Sequence, residues 1–348
     1  MTGNFLPIFE LTRGNIVESI HHGAVAIVDS SGRLLAWFGK PQTVTFMRSS
    51  AKPLQVLPFI EGGGDQFFHL TSREIAVMCG SHDGTDDHVD VVKGIQAKVG
   101  VQESDLLCGT HPLTHHLTVE AMRARNEAPT PNRHNCSGKH TGMLAFARMR
   151  GQPISDYVNQ KHPVQQMILE SFSEMCALPP ARIELGTDGC SAPNFAVPLQ
   201  NAARAIAQLC DPHGLSPERA AACRRITQSM MAHPDMVAGQ DRFDTRMMGV
   251  CKGRVISKGG AEGYQILGIM PGVLGADAPG IGIAFKISDG DPNQRVRPAV
   301  SLEILRQMGV LTETDLAALP EFGPVRQITN WRKIVVGKSH PVFTLERE

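Results

Sequence analysis

The sequence lacks the features that would tie a chain to a polyanion, a lipid or an oxidising compartment. Lysine plus arginine number 34 and aspartate plus glutamate 34, so the formal net charge is zero, and no basic run or aromatic-basic interleaving stands out. Without that footprint neither nucleic acid nor an anionic membrane is the expected partner, and a small molecule is the default. No uninterrupted apolar stretch is long enough to span a bilayer. Met1 to Ile20 mix charges, Pro7 and Gly14 with apolar positions, so no signal peptide is expected. Eight cysteines with no C-x-x-C pair are expected to be reduced thiols in a cytosol. There is no internal repeat and no low-complexity linker. What remains is a chain of 348 residues, long enough to bury the core of an enzyme.

Strand signals lie near both ends. Val25 to Val28 and Leu34 to Phe38 read as a hairpin through Asp29-Ser30-Ser31-Gly32, and Thr43 to Met47 is expected to extend its sheet. Late strands are read at Arg254 to Lys258, Tyr264 to Met270 and Ile281 to Ile287, before a last helix reaching about Met308. A helix is expected from about Ser49, with Pro58 kinking or ending it, and a capping box at Thr71-Ser72-Arg73-Glu74 opens another. Further helices are predicted over Asp86 to Val99, Thr118 to Arg125, Gly142 to Arg150, Val164 to Cys176, Pro198 to Cys210 and Pro217 to Ala232. The fold class predicted is α/β of the α+β kind, an antiparallel sheet from N- and C-terminal strands with a large helical middle. Residues 1–348 are read as one catalytic unit, with 14–85 and 250–310 forming a sheet lobe and 86–246 a helical lobe.

Three elements that could carry acyl transfer come in order along the chain. Ser49-x-x-Lys52 opens a predicted helix and would put both side chains on one face, where the amine can take the hydroxyl proton. Ser81 follows in a loop, and Lys258-Gly259-Gly260 ends a strand. This order parallels the S-x-x-K, S-D-N and K-T-G set of penicillin-recognising serine enzymes, the second and third motifs matching only loosely. Alone, Ser49 is as well explained by a capped helix start, and Ser81 and Lys258 by a loop serine and a solvated strand end.

The second constellation pairs Asn135-Cys136-Ser137-Gly138-Lys139-His140 with Asp188-Gly189-Cys190-Ser191-Ala192-Pro193. Thiolate, imidazole and carboxylate are zinc ligands, so spacing nominates Cys136, His140, Cys190 and perhaps Asp188; buried cysteines at tight turns are the plainer reading. The remaining cysteines read as core fillers. His82, His88, His111, His115 and His116 read as surface or structural groups, and Asp83 to His88 as a helix cap rather than a cation site.

Together these stretches, with Arg48-Ser49-Ser50-Ala51-Lys52-Pro53, Cys79-Gly80-Ser81-His82 and Lys258-Gly259-Gly260-Ala261-Glu262-Gly263, resemble the Rhizobium-type (class 3) L-asparaginases of the asparaginase II family. The resemblance runs from about Gly14 to the last helix. It implies hydrolysis of L-asparagine to L-aspartate and ammonia by a cytoplasmic homodimer, on a fold similar to serine β-lactamases and glutaminases. By the same carry-over Ser49 with Lys52, and Ser81 with Lys258, are the catalytic pairs. Arg48, His140 and Asp188 are substrate contacts, and Cys136, Lys139 and Cys190 hold a zinc ion that tunes affinity. A lysine ligand displaces the spacing-based choice of His140. The rival readings are another cytosolic serine amidase of the β-lactamase kind and a non-catalytic zinc-binding protein.

Overall fold

The computed structural model describes residues 4–347. Among them the strands are, in chain order, β1 (Leu6–Arg13), β2 (Ile16–Asp29), β3 (Leu34–Phe38), β4 (Val44–Phe46), β5 (Glu184–Thr187), β6 (Pro193–Pro198), β7 (Val255–Gly259), β8 (Tyr264–Ile269), β9 (Ile281–Ile287), β10 (Arg326–Thr329), β11 (Val335–Pro341) and β12 (Glu346–Arg347). The chain divides into two compact units. One takes residues 4–50, 197–211 and 246–347, and the other residues 51–196 and 212–245.

The first unit is a nine-stranded sheet in the order β10-β11-β1-β2-β9-β8-β7, with β3 joined to β2 and β12 to β3, so that N- and C-terminal strands share one antiparallel sheet as the sequence predicts. At its centre Val25, Ala26 and Ile27 of β2 face Phe285, Ala284 and Ile283 of β9. Strands β7 and β8 are buried at every position, the polar Ser257, Lys258 and Gln265 included, so no polar alternation marks a solvent face on either. The helix Leu199–Cys210 lies against β2, β8 and β9, its Ala202, Ala203, Ile206 and Ala207 fully buried. The sequence reading missed β1, and it ended the fold near Met308, short of the last three strands. Arg326–Thr329, Val335–Pro341 and Glu346–Arg347 are largely exposed and polar, so hydropathy carries no period to read. Val44–Phe46 is a strand, but it does not join the nine-stranded sheet.

The second unit is mostly helical. The helices Lys52–Glu61, Asp86–Val99, Ser137–Met149 and Pro217–Ala232 pack around Ser72–Met78, whose segment from Glu74 to Met78 is buried throughout, and Pro163–Cys176 packs on Lys52–Glu61. Thr71 and Glu74 form the expected capping box. Pro58 neither ends nor breaks its helix, which runs to Glu61 and closes at Gly62. A hairpin of β5 and β6 interrupts the helical middle, unforeseen because four residues of Glu-Leu-Gly-Thr give no strand signal. The units differ from the predicted lobes at both boundaries. The helices from residue 51 to 85 belong to the helical unit, and Leu199–Cys210 belongs to the sheet.

Candidate functional site

Lys52 is the first residue of its helix, and its side chain is 1% exposed. Its amine lies 2.9 Å from Ser81 Oγ, 2.5 Å from the Gly80 carbonyl and 3.2 Å from the Asn135 carbonyl. Both carbonyls can only accept, so they fix two N–H directions, and the third valence faces the serine. An ammonium donates to Ser81 there; a neutral amine offers its lone pair to the Ser81 proton instead. Ser81 is half-buried, and its own backbone N–H donates to the Val237 carbonyl at 2.7 Å. The chain can reach this geometry because residue 80 is glycine: a Cβ there would stand 2.4 Å from the Met236 carbonyl. Gly138 is held to the same constraint, since its Cβ would meet the Val77 carbonyl at 2.3 Å.

The two cysteine turns come together within this unit. The first is a helix start rather than a turn followed by a helix. Cys136 caps Ser137–Met149, five residues ahead of the expected beginning, which puts Lys139 and His140 on the first turns. Cys190 sits at the tip of the β5–β6 hairpin, where Asp188 N–H donates to the Ala192 carbonyl and Ser191 takes a φ of 70°. Lys139 Nζ donates to Cys190 Sγ at 3.0 Å. The sulfurs titrate as a pair. A hydrogen bond from Cys190, aided by the cations of Lys52 and Lys139, holds Cys136 well below the usual thiol range, and that bond together with burial raises Cys190. Burial opposes the charge on Lys139, but the neighbouring sulfurs outweigh it and hold the ammonium above its ordinary range. Among the described residues no three His, Cys, Asp or Glu side chains gather as a metal-ligand set. Two thiols and an amine do gather, a donor set that fits a soft or borderline divalent ion once the amine sheds its proton.

His140 is fully buried and faces this group. Its Nδ1 lies 2.7 Å from the Tyr157 hydroxyl and burial pushes it down to about 4. The half-buried Asp188 has an oxygen 4.0 Å from Cys190 Sγ. Sequence reasoning missed the collar of neutral histidines behind these groups. His82, beside Ser81, accepts the Gly84 N–H on Nδ1 at 3.1 Å, so Nε2 carries the proton it shares with Ser137 Oγ at 2.9 Å. That bond ties the Ser81 loop to the helix start bearing Cys136. His134 accepts the Cys136 N–H and His111 the Asn135 N–H, both at 3.0 Å. The spacing of these histidines gives no period, and only the fold reveals their shared task.

The remaining candidates lie in the sheet unit. Arg48 and Ser49 belong to a 3-10 turn, Arg48–Ala51, rather than to the following α-helix, so the shared helical face assumed for Ser49 and Lys52 does not form. Arg48 has φ 53°, and Glu262, in another recognised stretch, has φ 56°. Ser191 shares this left-handed conformation, but so do eight non-glycine residues outside the motif stretches, so it does not by itself mark a site. Lys258 is buried on β7, with Nζ donating to the Gly259 carbonyl at 2.6 Å, while Ser50 Oγ donates to the Lys258 carbonyl at 2.8 Å. Within its own unit Ser81 meets Lys52; Lys258, its partner by motif, belongs to the other unit.

A model of the L-asparaginase II family matches residues 9–341. No curated protein matches. Among solved structures, Mglu in its native form is similar with 12% identity and a TM-score of 0.45, over 83% of this chain and 64% of that one. A probable glutaminase from Bacillus subtilis, complexed with 6-diazo-5-oxo-L-norleucine, is similar with 9% identity and a TM-score of 0.39, over 83% of this chain and 84% of that one. The chain therefore spans less than two thirds of the length of Mglu.

Proposed function

This chain belongs to the L-asparaginase II family, and on that premise we propose that it hydrolyses the side-chain amide of L-asparagine, with Lys52 as the base and Ser81 as the hydroxyl it activates. The observation that carries the reading is the 2.9 Å contact between Lys52 Nζ and Ser81 Oγ, with carbonyls filling the amine's other two directions. Once the Lys52 ammonium has shed its proton, the Ser81 proton passes to the amine as Oγ attacks the amide carbon. The resulting ammonium then protonates the leaving nitrogen, so ammonia departs and an aspartyl ester remains on Ser81. Water gives its proton to Lys52, attacks the ester and frees aspartate, and Ser81 Oγ recovers the proton from Lys52. Ser49 and Lys258 stay assigned to the same reaction by their motifs. By charge, Arg48 suits the substrate carboxylate and Asp188 its ammonium. His140, fully buried as Lys52 is, stays assigned to the substrate carboxamide by its motif. Cys136, Lys139 and Cys190 would hold zinc, whose charge when bound bears on affinity for the substrate.

The test is ammonia release from L-asparagine, with L-glutamine alongside, by the wild type, Ser81→Ala and Ser49→Ala, each checked for folding by circular dichroism. The expected result is a folded Ser81→Ala protein slowed by about 10²-fold or more. Full turnover by folded Ser81→Ala would remove Ser81 from the chemistry, and no release from wild type on either amide would remove the reaction.

A further inference from the structure

Ser81 is held beside Lys52 by a second stretch of the same unit, residues 234–245. The Gly80 backbone passes the Met236 carbonyl too closely for a Cβ to fit between them, and the Ser81 N–H donates to the Val237 carbonyl at 2.7 Å. Two residues on, the Asp83 side chain, 7% exposed, accepts on Oδ1 a hydrogen bond from Arg242 Nη1 at 3.3 Å. Its other oxygen rests against Gly239, where a Cβ would stand 2.0 Å from Oδ2 and where φ is 153°, a value that favours glycine. The Arg242 N–H donates to the Gly239 carbonyl at 3.1 Å, closing the turn that presents the guanidinium to Asp83. Thr245 Oγ1 donates to the Pro234 carbonyl at 2.8 Å and so ties the two ends of the stretch together. His88 Nε2 adds a further stitch, donating to the Asp235 carbonyl at 3.0 Å.

We propose that Asp83 is a positioning residue for Ser81: paired with Arg242 and seated on Gly239, it holds the Ser81 loop on residues 236–242 where Oγ meets the Lys52 amine. Asp83 acts through the two peptide units that separate it from Ser81. Burial raises its carboxyl from the ordinary value and the Arg242 charge opposes that rise, so loss of the arginine leaves a buried carboxylate short of its countercharge. Such a group is drawn toward water and takes its loop with it. On the other side the loop is anchored by His82 to Ser137 and by Arg133 to the Gly84 carbonyl, so the fold outlasts the loss while the alignment of Ser81 with Lys52 does not. Arg242 is itself 39% exposed, and replacing it disturbs no packed core. The inference rests on the reading of Ser81 as the attacking hydroxyl.

The experiment is steady-state ammonia release from L-asparagine by the full chain, its Asp83→Ala, Arg242→Gln and Arg242→Lys variants and the Asp83→Ala/Arg242→Gln double variant, each checked for folding by circular dichroism. Both charge-removing single variants are expected to lose about 10- to 10²-fold in kcat with KM within about twofold of wild type. The double variant is expected to be no slower than the slower single one, because the two residues act as one unit. Arg242→Lys is expected to regain most of the rate, since a single N–H makes the contact. Unchanged kcat in the folded single variants, additive losses, no recovery in Arg242→Lys, or a raised KM with kcat kept overturns the proposal; the last would make Arg242 a substrate contact. Should Asp83→Ala not fold, the two Arg242 variants decide. Hydrogen exchange at the Ser81 amide gives a readout that needs no turnover. It is expected to be about 10-fold faster in Arg242→Gln while the amides of Ser72–Met78 keep their rates, and equal rates at Ser81 overturn the proposal. No ammonia from the wild type would refute the reaction, and the Ser81 exchange rate would still decide whether Asp83 and Arg242 hold the loop.

Discussion

A lysine at 1% exposure must have all its polar directions answered, and Lys52 answers them with two carbonyls and one hydroxyl. That arrangement separates its use as a base from its use as a charge. Lys52→Arg keeps the charge but brings a planar, permanently protonated fork that cannot take the Ser81 proton. The expected outcome is a fall in kcat of about 10²- to 10⁴-fold, measured by steady-state ammonia release from a protein that circular dichroism shows to be folded. Retained kcat in Lys52→Arg would make the group an electrostatic anchor. This pairing was not legible in the sequence. A 3-residue spacing suggested Ser49 as the partner, whereas the contact with Ser81 depends on Gly80, where a Cβ would collide with the Met236 carbonyl. Steric permission of that kind leaves no pattern along the chain. The cysteine turns were legible because each sets one of only eight cysteines close to a glycine, yet the contact of Tyr157 with His140 comes from the fold alone.

Among the elements, those with their own end signals could be read and those without could not. Asp86–Val99 and Pro217–Ala232 fall at the predicted bounds because Thr85 and Ser216 cap them through side-chain oxygens. Ser137–Met149 was placed five residues late because Cys136 offers no capping hydrogen bond and Gly138 lies in the first turn. That glycine is what lets the helix meet Ser72–Met78. Gly138→Ala tests the point with an unusual sign. By helix propensity alone alanine stabilises by about 1 kcal/mol, but here its Cβ would lie 2.3 Å from the Val77 carbonyl, a backbone atom that cannot swing aside. Net destabilisation of about 1–3 kcal/mol is expected, read from the urea midpoint. Because Gly80 and Ser81 follow one helix and Cys136 begins the other, kcat should fall with stability. A Gly138→Ala protein as stable as wild type would mean the helices slide apart at no cost.

At the scale of the whole molecule, the buried histidines make stability depend on pH in a direction that can be worked out. Burial lowers His82 well below its ordinary value, lowers His88, and takes His134 and His140 down to about 4. Unfolding returns each ring to an ordinary value near 6.5, so between about 6.5 and 4 the unfolded chain binds more protons than the folded one. Stability is therefore complete above pH 6.5 and declines as the pH falls through that window, by up to about 1.4 kcal/mol per pH unit for each histidine. Asp83, raised by burial, acts in the opposite sense, adding stability at low pH that is lost as pH rises. The lowered carboxylates Asp29, Asp86 and Asp315 titrate at the acid end and add their losses there. Urea unfolding at intervals from pH 7.5 to 4.5 should thus show a midpoint that is level above 6.5 and then declines. His82→Gln, which keeps a donor toward Ser137, should shallow the decline without abolishing it. A level midpoint down to pH 4.5 would mean that the rings protonate in place. The accepting nitrogens of His82, His111 and His134 would then have released the backbone N–H groups they hold, and the collar around Ser81 and Cys136 would open before the chain unfolds.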